Sequence, residues 1–79
     1  MDVSNYEIEI KRHAFVRAMQ RHVTPDMIEA TLKGGSIKRF AKNNIKFTKS
    51  YKNFVVVCVG EITGLKIKIL TIETKGEKK

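Results

Sequence analysis

The chain has 79 residues, of which sixteen are Lys or Arg and eight are Asp or Glu, so its formal net charge is +8. This length holds one small core, which predicts a single domain over residues 1–79. The one cysteine, Cys58, excludes an internal disulfide and a cysteine-cluster metal site. No apolar run is long enough to cross a bilayer and no signal-peptide pattern is present. We therefore expect a cytoplasmic protein with no metal, cofactor or membrane partner.

The excess of positive charge predicts an anionic partner. Nucleic acid is the most common one for a domain this small, and an acidic protein or a membrane surface is less common. A lysine-rich solvated surface, as found in proteins from thermophiles, has the same composition. Because charge alone does not distinguish these cases, the residues that would contact phosphate have to be found from the pattern.

A short strand and an amphipathic helix begin the chain. Residues 6–10 alternate apolar and acidic side chains, which predicts a strand with its apolar side facing the core. Residues 11–22 follow a helical period, with an apolar arc that consists of Ala14, Phe15, Ala18, Met19 and His22. On the opposite arc His13, Arg17 and Arg21 recur at every fourth residue and stack along one side of the helix. Such a helix can pack on a sheet and still offer positive charge to a partner.

A second helix follows directly. Thr24 is a good N-cap and Pro25 suits the first helical position. Gly34 and Gly35 form a strong signal for the end of a helix.

From Ser36 onward the period of the apolar residues is two, which predicts a series of strands. Strands are expected at 37–40, 45–51, 54–59 and 65–74. Turns are expected at 41–44, with Asn43 and Asn44 at positive φ, at 52–53 and at 60–64. The run 54–59 is apolar on both faces and predicts a central strand that buries an inert Cys58.

The last strand changes phase near residue 70, which predicts either a bulge or a strand covered on both sides. Residues 75–79 are expected to form a frayed basic tail. The order of elements predicts an α+β domain, with the N-terminal strand and two helices packed on one face of a curved, mainly antiparallel sheet of three to five strands.

Several segments carry a resemblance to a known family. These are His13-Ala14-x-x-Arg17, then Arg21, Val23-Thr24, the helix end Leu32-Lys33-Gly34-Gly35 and the closing strand Leu70-Thr71-Ile72. From Ile8 to Thr74 the chain resembles small domains of unknown function that are grouped with the RelE/ParE/BrnT-type toxins. Two positions depart from the family pattern: Ala18 stands where the family usually has Met, and His22 stands where it usually has Gly.

The resemblance implies a RelE/ParE-like fold and ribonuclease or ribosome-associated chemistry. The grouping contains toxins that cleave mRNA, toxins directed at gyrase and inert binding members, so the fold does not determine the activity.

Metal-independent RNA cleavage requires an acid and base for the ribose and the leaving oxygen, and cations for the phosphate. His13 is the candidate acid or base, and Arg17 and Arg21 are candidates for clamping the phosphate. Four further residues are candidates for nucleic-acid contacts from the opposite wall of a groove: Arg39, Lys46, Lys49 and Tyr51. In the alternative, His13 orients the helix through a hydrogen bond and the two arginines pair with acidic side chains, for which the candidates are Glu7, Glu9, Glu61 and Glu73.

Two hypotheses for the function follow. In the first, the protein is a RelE/ParE-like toxin domain that binds RNA or the ribosome and cleaves RNA without a metal. In the second, it is a non-catalytic module, monomeric or homodimeric, that binds nucleic acid or a protein. An exposed edge strand at 37–40 would then pair with a second copy or with an antitoxin-like peptide.

Overall fold

The computed structural model describes residues 3–76, which form two helices and five strands. In chain order they are β1 (Glu7–Ile10), α1 (Arg12–Gln20), α2 (Pro25–Gly34), β2 (Ser36–Phe40), β3 (Asn44–Ser50), β4 (Phe54–Thr63) and β5 (Lys66–Gly76). The strands form one open sheet in the order β1-β5-β4-β3-β2. β1 is parallel to β5, and the other neighbours are antiparallel. The α+β class is confirmed, with a mixed sheet. The N-terminal strand does not pack on the sheet with the helices as predicted, because β1 is itself an edge strand of the sheet.

Both helices pack on the same face of the sheet. A single hydrophobic cluster joins residues of the two helices to residues of the strands: Ala14, Ala18, Val23, Ile28, Leu32, Ile45, Phe47, Val56, Cys58, Ile67, Ile69 and Ile72. The predicted apolar arc of α1 is confirmed at Ala14 and Ala18, whereas Phe15 remains 36% exposed. The prediction of a central strand at 54–59 is also confirmed, because β4 lies third of five.

The other face of the sheet, called here the open face, has no helix on it. Side chains alternate between the two faces of a strand, so the residues between Val56 and Cys58 point away from the helices. Val57 lies there and is outside the main core cluster. Val57 is nevertheless buried, and its direct neighbours across the sheet are Thr48 of β3 and Glu73 of β5.

α1 ends two residues earlier than the sequence predicts. The backbone N–H of His22 donates to the oxygen of Met19 (3.1 Å), and the N–H of Val23 donates to the oxygen of Ala18 (2.9 Å). This pair of bonds is a Schellman motif, which requires the left-handed conformation that His22 has, with φ of 66°. The prediction that His22 belongs to the apolar arc is therefore wrong, and the buried side chain at this end of the helix is Val23.

The predicted start and end of α2 are both confirmed. The Thr24 hydroxyl accepts a hydrogen bond from the backbone N–H of Met27 at 3.2 Å, and Pro25 is the first helical residue. The helix ends at Gly34, and Gly35 is extended rather than left-handed. Close packing explains Gly35, because a Cβ there would lie 2.6 Å from the carbonyl oxygens of both Thr31 and Thr48.

The turn predicted at 60–64 is wrong. β4 continues to Thr63, and the chain reverses at Gly64, whose φ is 60°. Gly60 lies inside the strand, where a Cβ would lie 2.6 Å from the Lys68 carbonyl oxygen. The predicted bulge is confirmed: Val59 faces Thr71 and Gly60 faces Ile69, which leaves Leu70 as the extra residue.

Two smaller predictions also need correction. In the turn between β2 and β3 the residue at positive φ is Ala41 (54°), and Asn44 already belongs to β3. Lys75 pairs with Val55 inside the sheet, so the frayed tail cannot begin at residue 75. Residues 77–79 lie outside the part of the chain that the structure describes.

Candidate functional site

The packing of α1 places its predicted cationic stripe beside β5. β1 pairs with β5 only as far as Ile69. At that point the backbone N–H of Lys11 donates to the Ile69 oxygen at 3.1 Å, and α1 then lies against the remainder of β5. Ala14 and Ala18 are the buried contacts of the helix, and their small side chains allow it to approach the strand closely.

A groove between α1 and β5 contains all three residues that the sequence predicts as catalytic. Its helix side consists of His13, Arg17 and Arg21 above Ala14, and its strand side consists of Leu70, Thr71, Ile72 and Glu73. The cavity volume is about 110 Å³. Because a water molecule occupies about 30 Å³, the space corresponds to three or four waters, which suits a phosphate group. We call this site the α1–β5 groove.

The cationic side chains of the groove have no partner among the residues that the structure describes. His13, Arg17 and Arg21 are exposed, and across residues 3–76 the structure shows no side-chain hydrogen bond or ion pair for any of them. The alternative in which both arginines pair with carboxylates is therefore not seen, and Glu9 binds Lys66 instead, with Oε1 and Nζ 3.2 Å apart. Each guanidinium group therefore has all its donors available to a ligand.

Glu73 is also one of the residues that line the groove. It is the direct partner of Val57, so its side chain leaves β5 on the open face and not toward the helix. His13, Glu73 and the two arginines are nevertheless close neighbours, and these residue types can hold a phosphodiester and exchange protons with it.

The structure does not bring the four other predicted contact residues to this groove. Lys49 lies near Asp26 and Lys33 of α2. Lys46 points to the open face, and Arg39 lies on the edge strand β2. The strand wall of the groove is β5, so the predicted opposite wall is not formed by these residues.

Tyr51 is occupied by contacts within the protein. Its hydroxyl donates to the Met27 carbonyl oxygen at 3.0 Å, and its ring stacks on Phe54 with the centroids 5.4 Å apart. The Nζ atom of Lys49 lies over the same ring, 5.8 Å from its centroid. These contacts fix β3 and the following turn against α2 and leave little of the ring for stacking with a base.

Sequence reasoning missed Leu70 and Thr71 as groove residues and named Glu73 only as an ion-pair partner. The available signal was the change of phase at residue 70. The bulge that it predicts changes the direction of the strand at the point where β1 ends.

Comparison of the chain with protein-family models, curated proteins and solved structures gives no match. The site has therefore to be interpreted from its own geometry. Between residues 3 and 76, no cluster of three or more His, Cys, Asp or Glu side chains is arranged to hold a metal ion. Neither helix in this part of the chain has the length and apolar character needed to cross a membrane.

Proposed function

We propose that the protein is a RelE/ParE-like domain that binds RNA, free or within the ribosome, through the α1–β5 groove. One observation carries the proposal: His13, Arg17 and Arg21 line one cavity, and none of them has a partner within residues 3–76. The guanidinium group presents a fork of donors that matches phosphate oxygens. The net charge of +8 adds a long-range attraction for a polyanion.

Cleavage of the bound RNA is the second candidate function, and the presence of Glu73 beside His13 at the groove supports it. In such a reaction a base removes the proton of the ribose 2′-OH, whose oxygen forms a bond to phosphorus. An acid then gives a proton to the 5′ oxygen as its bond to phosphorus breaks. His13 and Glu73 are the available pair, and the arginines would stabilise the charge on the phosphorus oxygens.

Binding is the main proposal because no hydrogen bond within residues 3–76 holds the acid–base side chains in position. Efficient catalysis needs groups held to within about 0.5 Å by neighbouring hydrogen bonds. Within residues 3–76 neither His13 nor Glu73 has such a bond. Cleavage by this arrangement would be slow, whereas binding tolerates mobile side chains.

The binding test compares two double variants that lose the same charge. Arg17→Ala/Arg21→Ala removes two groove contacts, and Arg12→Ala/Lys52→Ala removes two exposed cations outside the groove. Fluorescence anisotropy with a labelled single-stranded RNA, repeated at several salt concentrations, gives the dissociation constant and its salt dependence. Each lost phosphate contact lowers the slope of log K against log salt by about 0.7, so the groove variant should lose about 1.4. Equal losses in the two variants, or no RNA binding by the wild type, would contradict the proposal.

The cleavage test uses His13→Ala and Glu73→Gln with a chelator present. If cleavage occurs in the groove, each variant abolishes it, while Glu73→Gln binds RNA more tightly because a negative charge near the phosphate is lost. If the wild type binds RNA without cutting it, the non-catalytic alternative is correct. Cleavage that persists in both variants would exclude the groove as the catalytic site.

A further inference from the structure

The open face carries two lysines that face each other across neighbouring strands. Lys38 of β2 and Lys46 of β3 are direct partners in the antiparallel register, so their side chains leave the same face side by side. Like charges in this position destabilise a sheet. On the same face, Lys68 of β5 lies between two acidic residues, Glu61 of the central strand β4 and Glu9 of β1. Glu61 is only a diagonal neighbour of Lys46, and within residues 3–76 neither Lys38 nor Lys46 forms an ion pair. Such local conflicts are expected where a protein binds something.

This pair is connected to the α1–β5 groove by one row of residues. Lys46 faces Val59 of β4, and Val59 faces Thr71 of β5, which lines the groove. The row from Thr71 to Lys38 crosses three strand spacings of about 4.8 Å, or about 14 Å in total. This distance matches about four stacked nucleotides at ~3.4 Å each.

An exposed aromatic ring lies at the far end of the row. Phe40 follows Lys38 by two residues on the same strand, points to the same face and is 40% exposed. Of the other aromatics considered for stacking, Phe47 is buried and Tyr51 is bound to α2. A ring of this kind can stack with a base only if that base is unpaired.

We infer that the groove's ligand is single-stranded RNA with one base stacked on Phe40. Its backbone leaves Arg17 and Arg21, passes Thr71 on the part of β5 that β1 leaves unpaired, and crosses the open face to Lys46 and Lys38. The inference rests on the proposed function and adds the form of the RNA and its path. Charge complementarity carries it, because the two lysines lie side by side without an ion pair within residues 3–76 and an anion would relieve their repulsion. Val59 in the middle of the row offers an apolar surface to ribose and base.

The experiment measures binding of a trinucleotide, an octanucleotide and an RNA duplex. The variants are Lys38→Ala/Lys46→Ala and Phe40→Ala. Phe15→Ala is the matched control for the ring, since Phe15 is 36% exposed on another surface, and Arg12→Ala/Lys52→Ala again controls for charge. We expect Phe40→Ala to weaken octanucleotide binding by about fivefold or more, as the loss of one stacked base predicts. The lysine variant should weaken it by several fold, and neither change should affect the trinucleotide.

The outcomes separate this inference from the proposed function. If the wild type binds the octanucleotide and Arg17→Ala/Arg21→Ala weakens it while the open-face variants do not, the path is wrong and the groove proposal stands. Tighter binding of the duplex than of the single strand would also overturn the inference. Light scattering provides a third check: a stable dimer that Val59→Asp dissociates would assign the open face to a second copy of the chain.

Discussion

The thiol of Cys58 should make the stability of the protein fall above pH 9. Cys58 lies in β4 with no exposed surface, and burial raises its pKa from 9.0 to about 12. In the unfolded chain the thiol ionises near pH 9, whereas in the folded chain it keeps its proton, so the folded state binds more protons between these values. Stability must then fall as the pH rises, by about 1.4 kcal/mol per unit and by about 4 kcal/mol in total.

Urea denaturation of the wild type and of Cys58→Ala between pH 8 and 10.5 tests this prediction. All other ionisable groups are the same in both proteins, so the difference between the two curves isolates the thiol. At pH 10.5 the wild type should have lost about 2 kcal/mol more than the variant, relative to pH 8. Alkylation of the native protein at pH 8 should also be much slower than alkylation in urea. Parallel stability curves would show that the thiol ionises in the folded state at its ordinary pH, and the argument from burial would fail.

Two further predictions concern the helix ends. Gly35→Ala should destabilise the protein by about 2 kcal/mol, because its Cβ would lie 2.6 Å from two carbonyl oxygens. The control Gly34→Ala should be neutral or stabilising, since a Cβ there has nothing within 4 Å. Equal urea midpoints for the two variants would refute the packing argument. His22→Gly should stabilise by about 1 kcal/mol, since φ of 66° costs most residues roughly 1–2 kcal/mol and glycine loses part of that gain to chain entropy. The expected rise in Tm is roughly 4–8 °C, and an unchanged or lower Tm would show that His22 makes a stabilising contact.

The residue at position 22 also bears on the resemblance to the toxin-associated domains. That family usually has glycine there, and the left-handed conformation of His22 is the one that glycine adopts without strain. The backbone of this chain therefore has the turn that the family's glycine would permit. This agreement concerns one turn, and membership of the family stays a proposal.

Features that depend on neighbouring residues were predictable from the sequence. The cap at Thr24 and Pro25 and the bulge at Leu70 are examples, because each follows from a hydrogen bond or a side-chain period within a few residues. The cationic stripe on α1 belongs to the same class, since stacking at every fourth residue is a property of the helix itself.

Some local patterns had two physical explanations, and the sequence did not distinguish them. Gly60 predicts a turn, yet it lies inside a strand. Glycine is needed there because the Lys68 carbonyl leaves no room for a Cβ. Ala41, which has no intrinsic preference for positive φ, adopts it in the hairpin where Asn43 was expected to do so.

Periodicity along the chain is enough to predict the α+β class and the charged face of α1. What lies opposite that helix depends on how distant segments pack. The parallel pairing of β1 with β5 ends at Ile69, and this leaves the second half of β5, with Thr71 and Glu73, as the wall opposite Arg17. Which strands become neighbours depends on contacts between residues more than fifty positions apart, and no period within a single segment carries that information.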